Sequence, residues 1–318
     1  MIQTRPQLER YLKTINGDSR IAIDTEFKRV NTYYPKLCLV QIATSHFAEC
    51  IDVLSINDLE PLFEKLYHNK TEWVVHSARQ DIEALYHLSK RIPSSLFDTQ
   101  IAASLLNYPL QISYQALTEI LQGVQLDKSF TRFDWTTRPL PANVIEYALD
   151  DVRYLLPNFE KLKHELTISK KIQWLDEETR FLLDHELYEP SIEQICYKTK
   201  GLSRLVKEFQ DKAIKLAAWR ENNAKQKNKP RKWIMSDEKL IDYACGKSKL
   251  SPRSQKLFDD FISESSETLS LSELLTPQKP LTSSEKRKKN ELQRIINSIA
   301  EAYNLPPEVI STSKSLIR

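Results

Sequence analysis

Three short stretches carry acids in arrangements that could do chemistry. Asp24 and Glu26 lie two apart in Ile21-Ala22-Ile23-Asp24-Thr25-Glu26-Phe27, a run whose composition predicts a β-strand. Alternation puts both carboxylates on one face and Ile21, Ile23, Thr25 and Phe27 on the other. Such neighbours repel and lose hydration if buried, and a shared divalent cation resolves both problems. Taken alone, the pair reads as a solvated acidic face on an edge strand. With 17 Asp and 26 Glu, chance supplies about 1.4 D-x-E matches. Asp81 falls in the first turn of a helix leaving the strand Glu72–His76, where an Asp often serves only the helix dipole. Tyr147 and Asp151, four apart, share one helical face. About 0.7 such pairs arise by chance, and a core Tyr beside a surface acid is the plain alternative. Asp150 sits about 100° around the helix from that face and is expected in solvent or supporting the site residues from behind.

The chain that must position these acids has 318 residues, enough for about two domains with their own cores. Apolar residues make up 41% and charged residues 28%, the balance of a soluble globular protein. Net charge is only +3, but residues 198–232 hold 12 Lys/Arg against 3 Asp/Glu, which points that segment at a polyanion. No stretch approaches the ~20 apolar residues of a membrane span. The opening MIQTRPQLERYL lacks an apolar signal core, so no export and no membrane partner are expected. Cys38, Cys50, Cys196 and Cys245 are scattered, with no C-x-x-C pair, which suits a reducing, cytoplasmic setting. With 4 Gly and neither G-x-G-x-x-G nor a P-loop, no phosphate-cradling glycine loop is present.

A helix over 6–15 is followed by three strand-like runs, Arg20–Phe27, Leu37–Thr44 and His46–Val53. Their connections are too short for crossovers, so they should form an antiparallel meander. A helix from Asn57 to His68 then lets the strand Glu72–His76 pair parallel to the first. Ser77-Ala78-Arg79-Gln80 resembles a capping box for the next helix. Further helices are predicted near 99–107, with Asp98 as cap, 113–121 and 141–165. His76, at a strand end, reads as a structural residue. The acidic run Asp176–Glu193 reads as a linking helix with an exposed end. Beyond Gly201 the pattern is helical: Leu202, Leu205, Val206, Phe209, Ala213, Leu216 and Ala217 mark one face. A basic loop over Lys225–Lys232, helices over Ile234–Ala244 and Pro252–Ile262, a linker over 263–284 and a final pair near 285–303 and 306–317 complete the chain.

Asp-x-Glu, then Asp, then Tyr-x-x-x-Asp, on strand, helix start and late helix, resembles the signature of DEDD 3′→5′ exonucleases of the Tyr subclass. IAIDTEFKRVNTYYPKLCLVQIA, LFDTQIAASLLNY, LDKSFTRFDWTTRPL and EYALDDVRYLLP narrow the resemblance to the ribonuclease D family, over about residues 1–190. It implies an α/β, RNase H-like mixed sheet flanked by helices, and two divalent ions, Mg²⁺ or Mn²⁺. By that resemblance Asp24 bridges the ions. Glu26 and Asp151 complete the site that activates water, Asp81 holds the second ion partly through water, and Tyr147 aims the nucleophile. The implied reaction is stepwise 3′→5′ hydrolysis of RNA to 5′-nucleotides, with tRNA precursors and single-stranded 3′ ends as substrates. The implied protein is monomeric. Lys128, Arg132, Trp135 and Arg138 lie in a loop where the family meets substrate. Cations mixed with aromatics suit phosphates and stacked bases, and a solvated loop is the alternative.

Residues 200–280, around LAAWRENNAKQKNKPRKWIMSDEKLIDYA, resemble an all-α HRDC domain. That implies RNA contact through Lys225, Lys227, Lys229, Arg231 and Lys232, against a solvated helix end as the alternative. Residues 281–318 resemble only the start of a second such module. A DNA 3′→5′ exonuclease and a non-catalytic RNA-binding protein on the same fold are the competing functions.

Overall fold

The computed structural model describes residues 1–264 and 281–311. Met1–Lys28, Pro35–His185 and the chain from Thr282 form one compact unit; Arg29–Tyr34 and Glu186–Leu281 form another.

The first unit is built on a five-stranded mixed sheet. α1 (Arg5–Thr14) opens with a capping box between Thr4 and Gln7. β1 (Arg20–Lys28), β2 (Lys36–Ala43) and β3 (Ala48–Ile51) pair antiparallel in succession, as predicted. After α2 (Glu60–Leu66), β4 (Glu72–Val75) returns parallel to β1. α3 (Arg79–Ser89) leads to β5 (Ser95–Asp98), parallel to β4. The sequence reading has no strand there, because four residues are too few to show an alternation. The order β3-β2-β1-β4-β5 makes β1 the central strand. Ile21, Ala22 and Ile23 are at most 1% exposed. An acidic pair on this strand is therefore no solvated edge.

α4 (Thr99–Leu105), α5 (Tyr114–Gln122), α6 (Ala142–Arg153), α7 (Leu155–Ile168) and α8 (Ile172–Thr179) follow. Phe97, Leu117, Leu155, Phe159 and Leu162 join Ala22 and Val74 of the sheet in the main core. The single helix predicted over 141–165 is two. The Tyr114 hydroxyl donates to the Asp150 carbonyl at 2.9 Å and accepts from the Tyr154 N–H at 3.2 Å, so a phenol occupies the rung that would join residue 154 to residue 150. Pro157 also lacks the N–H for the next turn.

The predicted capping box at Ser77 does not form, since no side chain caps α3 and Ser77 has φ of 64°. Asp98 does the work from across the sheet end. Its carboxylate accepts the N–H groups of Ser77 and Ala78 and, as predicted, caps α4 through Gln100 and Ile101. One buried acid thus fixes the starts of both helices that leave β4 and β5.

The second unit is helical: α9 (Ile192–Lys198), α10 (Lys207–Gln226), α11 (Arg231–Ile234), α12 (Asp237–Ala244) and α13 (Pro252–Glu264). Ile195, Leu216, Trp219, Leu240 and Phe258 lie in its core. The predicted helical face begins too early, because Leu202 lies in a 3₁₀ turn and Val206 is exposed, ahead of α10. The basic loop is shorter than predicted, since α10 reaches Gln226 and α11 opens at Arg231. Most of the linker predicted over 263–284 lies outside the described residues.

α14 (Ser283–Ala302) and α15 (Pro307–Ile310) pack with the first unit, where Leu305 enters the main core and Tyr303 meets Trp174 at 5.2 Å. The predicted last helix beyond residue 311 lies outside the described residues. No helix among them is long and apolar enough to cross a membrane.

Candidate active site

Asp24 and Glu26 project from one face of β1, and α6 brings Asp151 to them. One oxygen from each of the three carboxylates lies within 4.8 Å of the others. Asp81, in the first turn of α3, stands outside this trio. Its Oδ1 accepts the Thr25 N–H at 3.1 Å and the Thr25 hydroxyl at 2.5 Å. These two bonds tie the start of α3 to β1 beside Asp24, whose carboxyl feels the Asp81 charge more than that of any other acid. Sequence reasoning passed over Thr25, and no spacing rule ties it to an acid 56 positions later.

Burial dominates the electrostatics. The Asp24 carboxyl is pushed well above its ordinary value by burial, then by Asp81, Asp151 and Glu26. Burial, with Asp151 and Asp81, raises Glu26 to about 9. Asp81 rises to about 7 through burial, opposed by its Thr25 hydrogen bonds. Asp151 rises to about 7 through burial and the Asp150 charge. None of the four has a Lys, Arg or His ion partner among the described residues. Asp81 is buried and the other three acids are half-buried at one end of the sheet, with no ion partner among the described residues to balance them. Hard carboxylate oxygens converging without a counter-charge fit a divalent cation.

Tyr147 lies one turn before Asp151 and is buried. Burial and the Asp151 charge push its phenol up to about 12, so it stays protonated. Phe130 packs edge-on against its ring at 5.7 Å and Trp135 lies at 6.5 Å. Asp150 turns away to Arg153 at 2.6 Å, as its helical angle predicts. His76 is structural, its ring nitrogens meeting the Thr99 hydroxyl and the Ile112 carbonyl, both at 2.9 Å.

The loop expected to meet substrate divides in two. Lys128 and Arg132 are exposed and have no ion pair among the described residues. Trp135 is 4% exposed and packs in the cluster with Tyr147, so its faces are not presented to a base. Arg138 is also spent. It donates to Asp52 Oδ2 at 2.8 Å and Oδ1 at 2.6 Å, and to the carbonyls of Cys38, Trp135 and Thr137. That uses all five guanidinium N–H groups. Lys28 of β1 pins the same loop through Asp134 at 2.7 Å. Arg138 therefore anchors the aromatic wall beside Tyr147. Arg138→Gln would strand the fully buried Asp52 carboxylate and should cost about 3 kcal/mol of stability, read as a lower denaturant midpoint. An unchanged midpoint would deny the anchor.

In the helical unit, Lys227, Lys229 and Lys232 are exposed and Lys225 is half-buried. Trp233 is 60% exposed, with the Lys229 ammonium 5.7 Å from its ring. Arg231 differs from the expectation, because it is half-buried against Glu221 and Tyr33 and is not free for a phosphate.

Residues 1–167 match a family model described as 3′-5′ exonuclease. Ribonuclease D of Bartonella henselae is 35% identical over 335 residues, spanning 99% of this chain and 82% of that protein. Ribonuclease D of Sphingobium indicum is 40% identical over 246 residues, 77% of this chain and 63% of that one. The crystal structure of Escherichia coli RNase D, an exoribonuclease involved in structured RNA processing, matches with a TM-score of 0.85 at 26% identity, covering 99% of this chain and 88% of that one.

Proposed function

The chain belongs to the ribonuclease D family of 3′→5′ exoribonucleases, and from that premise we propose its mechanism and substrate. Asp24, Glu26 and Asp151 would hold one divalent ion, and Asp24 with Asp81 would hold a second. The convergence of three carboxylates within 4.8 Å, with no ion partner among the described residues, carries this reading. When bound, such ions lower the pKa of water and stabilise charge on the leaving 3′-oxygen. Tyr147, protonated at neutral pH, donates a hydrogen bond that aims the attacking water. Phe130 and Trp135 fix its ring, so little reorganisation is needed at reaction. Thr25 holds Asp81 back from the trio and sets its distance from Asp24. The products are 5′-nucleotides released singly from the 3′ end.

The substrate we propose is RNA with an unpaired 3′ extension, as in tRNA precursors. Lys128 and Arg132 meet the strand near the site. The helical unit acts as an HRDC-like accessory binder through Lys227, Lys229 and Lys232 beside Trp233. Replacing those three lysines with Ala should weaken RNA binding. It should also reduce the slope of log K against log salt by about 2. An unchanged slope in a filter-binding series would return them to solvent. The function is tested by incubating the protein with a 3′-extended tRNA precursor and a matched DNA strand, each in Mg²⁺ or EDTA. Stepwise shortening of RNA in Mg²⁺ supports the proposal. Preference for DNA, or binding without shortening, contradicts it.

A further inference from the structure

Gln41, on β2, is fully buried, and neither its Oε1 nor its Nε2 has a hydrogen-bond partner. A buried, unmet carboxamide is costly, and natural cores seldom keep one without a use. Its place in the sheet indicates the use. In the antiparallel register Gln41 stands directly opposite Asp24 on one side and Cys50 on the other. Directly opposed residues of an antiparallel pair project from the same face. The Gln41 side chain therefore shares Asp24's face, between Asp24 and Cys50. α6 covers this row, with the Cys50 thiol 3.9 Å from the Ile145 carbonyl. α6 also carries Tyr147 and Asp151, so the amide is sealed beneath the helix that completes the site.

We propose that Gln41 is a positioning residue for Asp24, its carboxamide N–H steadying the carboxylate in the orientation that binds a divalent ion. A carboxylate has two oxygens and about four acceptor positions, so it can ligate an ion with one and accept an amide N–H with another. Groups that hydrogen-bond a metal-ligating carboxylate orient it and tune its affinity. The inference rests on the metal-site reading above, and its test separates the two.

Mn²⁺ binding is measured by isothermal titration on the full chain, for wild type, Gln41→Met, Asp24→Asn and the double variant, with thermal melts in EDTA as a check on folding. Methionine fills nearly the same volume with no unmet polar atom, so Gln41→Met should melt no lower than wild type without metal. Mn²⁺ affinity should fall about 10-fold to 100-fold. In the Asp24→Asn background the same change should have no further effect. Gln41→Leu provides the same reading if the Met variant folds poorly. Affinity within twofold of wild type would overturn the proposal, whatever the melting temperature. An equal loss in the Asp24→Asn background would overturn it too, since Gln41 would then act without Asp24. If wild type and Asp24→Asn bind Mn²⁺ alike, the metal-site reading fails first.

Discussion

Asp24→Asn should reduce RNA shortening by about a thousand-fold or more and at the same time make the metal-free protein more stable. The first effect follows from the position of Asp24 at the meeting point of the other three acids. A thousand-fold loss corresponds to ~4 kcal/mol of barrier, within what a divalent ion supplies to a phosphoryl transfer. The second effect follows from the same burial. Each carboxyl here has a folded-state value above its unfolded value near 4. Between those values the folded state binds more protons than the unfolded one, so stability falls as pH rises. It is fully present below about pH 4, and is lost through about 7 for Asp81 and Asp151 and about 9 for Glu26. Melts in EDTA at pH 5, 7 and 9 should show wild type losing stability upward and Asp24→Asn losing less. A variant that keeps near-normal activity would remove Asp24 from the metal site. One that melts lower at pH 9 would contradict the electrostatic account.

Chelation should abolish activity, and added Mg²⁺ or Mn²⁺ should restore it. Activity at a fixed, sub-saturating Mg²⁺ concentration should climb from pH 6 to pH 9, because carboxyls raised to about 7 and about 9 must lose protons to ligate. The accompanying proton release is measured by titrating metal into protein in buffers of different ionisation enthalpy. Undiminished cleavage in EDTA would end the metal-dependent reading. A flat pH response with no proton release would show that the acids are already ionised.

Much of this site was legible before any coordinates. The strand period put Asp24 with Glu26, and the helical period put Tyr147 with Asp151 and set Asp150 aside. The meander and the later parallel strand followed from connection lengths alone. The losses have physical causes. β5 is too short to alternate, and the break between α6 and α7 depends on the Tyr114 phenol, forty positions from Tyr154. Arg138, Trp135 and Arg231 have side chains that suit RNA as types. Only packing shows that Asp52, the Tyr147 cluster and Glu221 already hold them. The Thr25 hydroxyl that holds Asp81 and the place of Gln41 opposite Asp24 depend on three-dimensional neighbours to which no local pattern points.

The whole mechanism turns on a catalytic divalent ion held by Asp24, Glu26 and Asp151. Crystals grown with Mn²⁺ and a short RNA test it most directly, through anomalous scattering at the manganese edge. Strong anomalous density is expected among these three carboxylates in the wild type, and its loss in Asp24→Asn. Manganese bound elsewhere, with none among these carboxylates while the RNA 3′ end lies beside them, would exclude that ion.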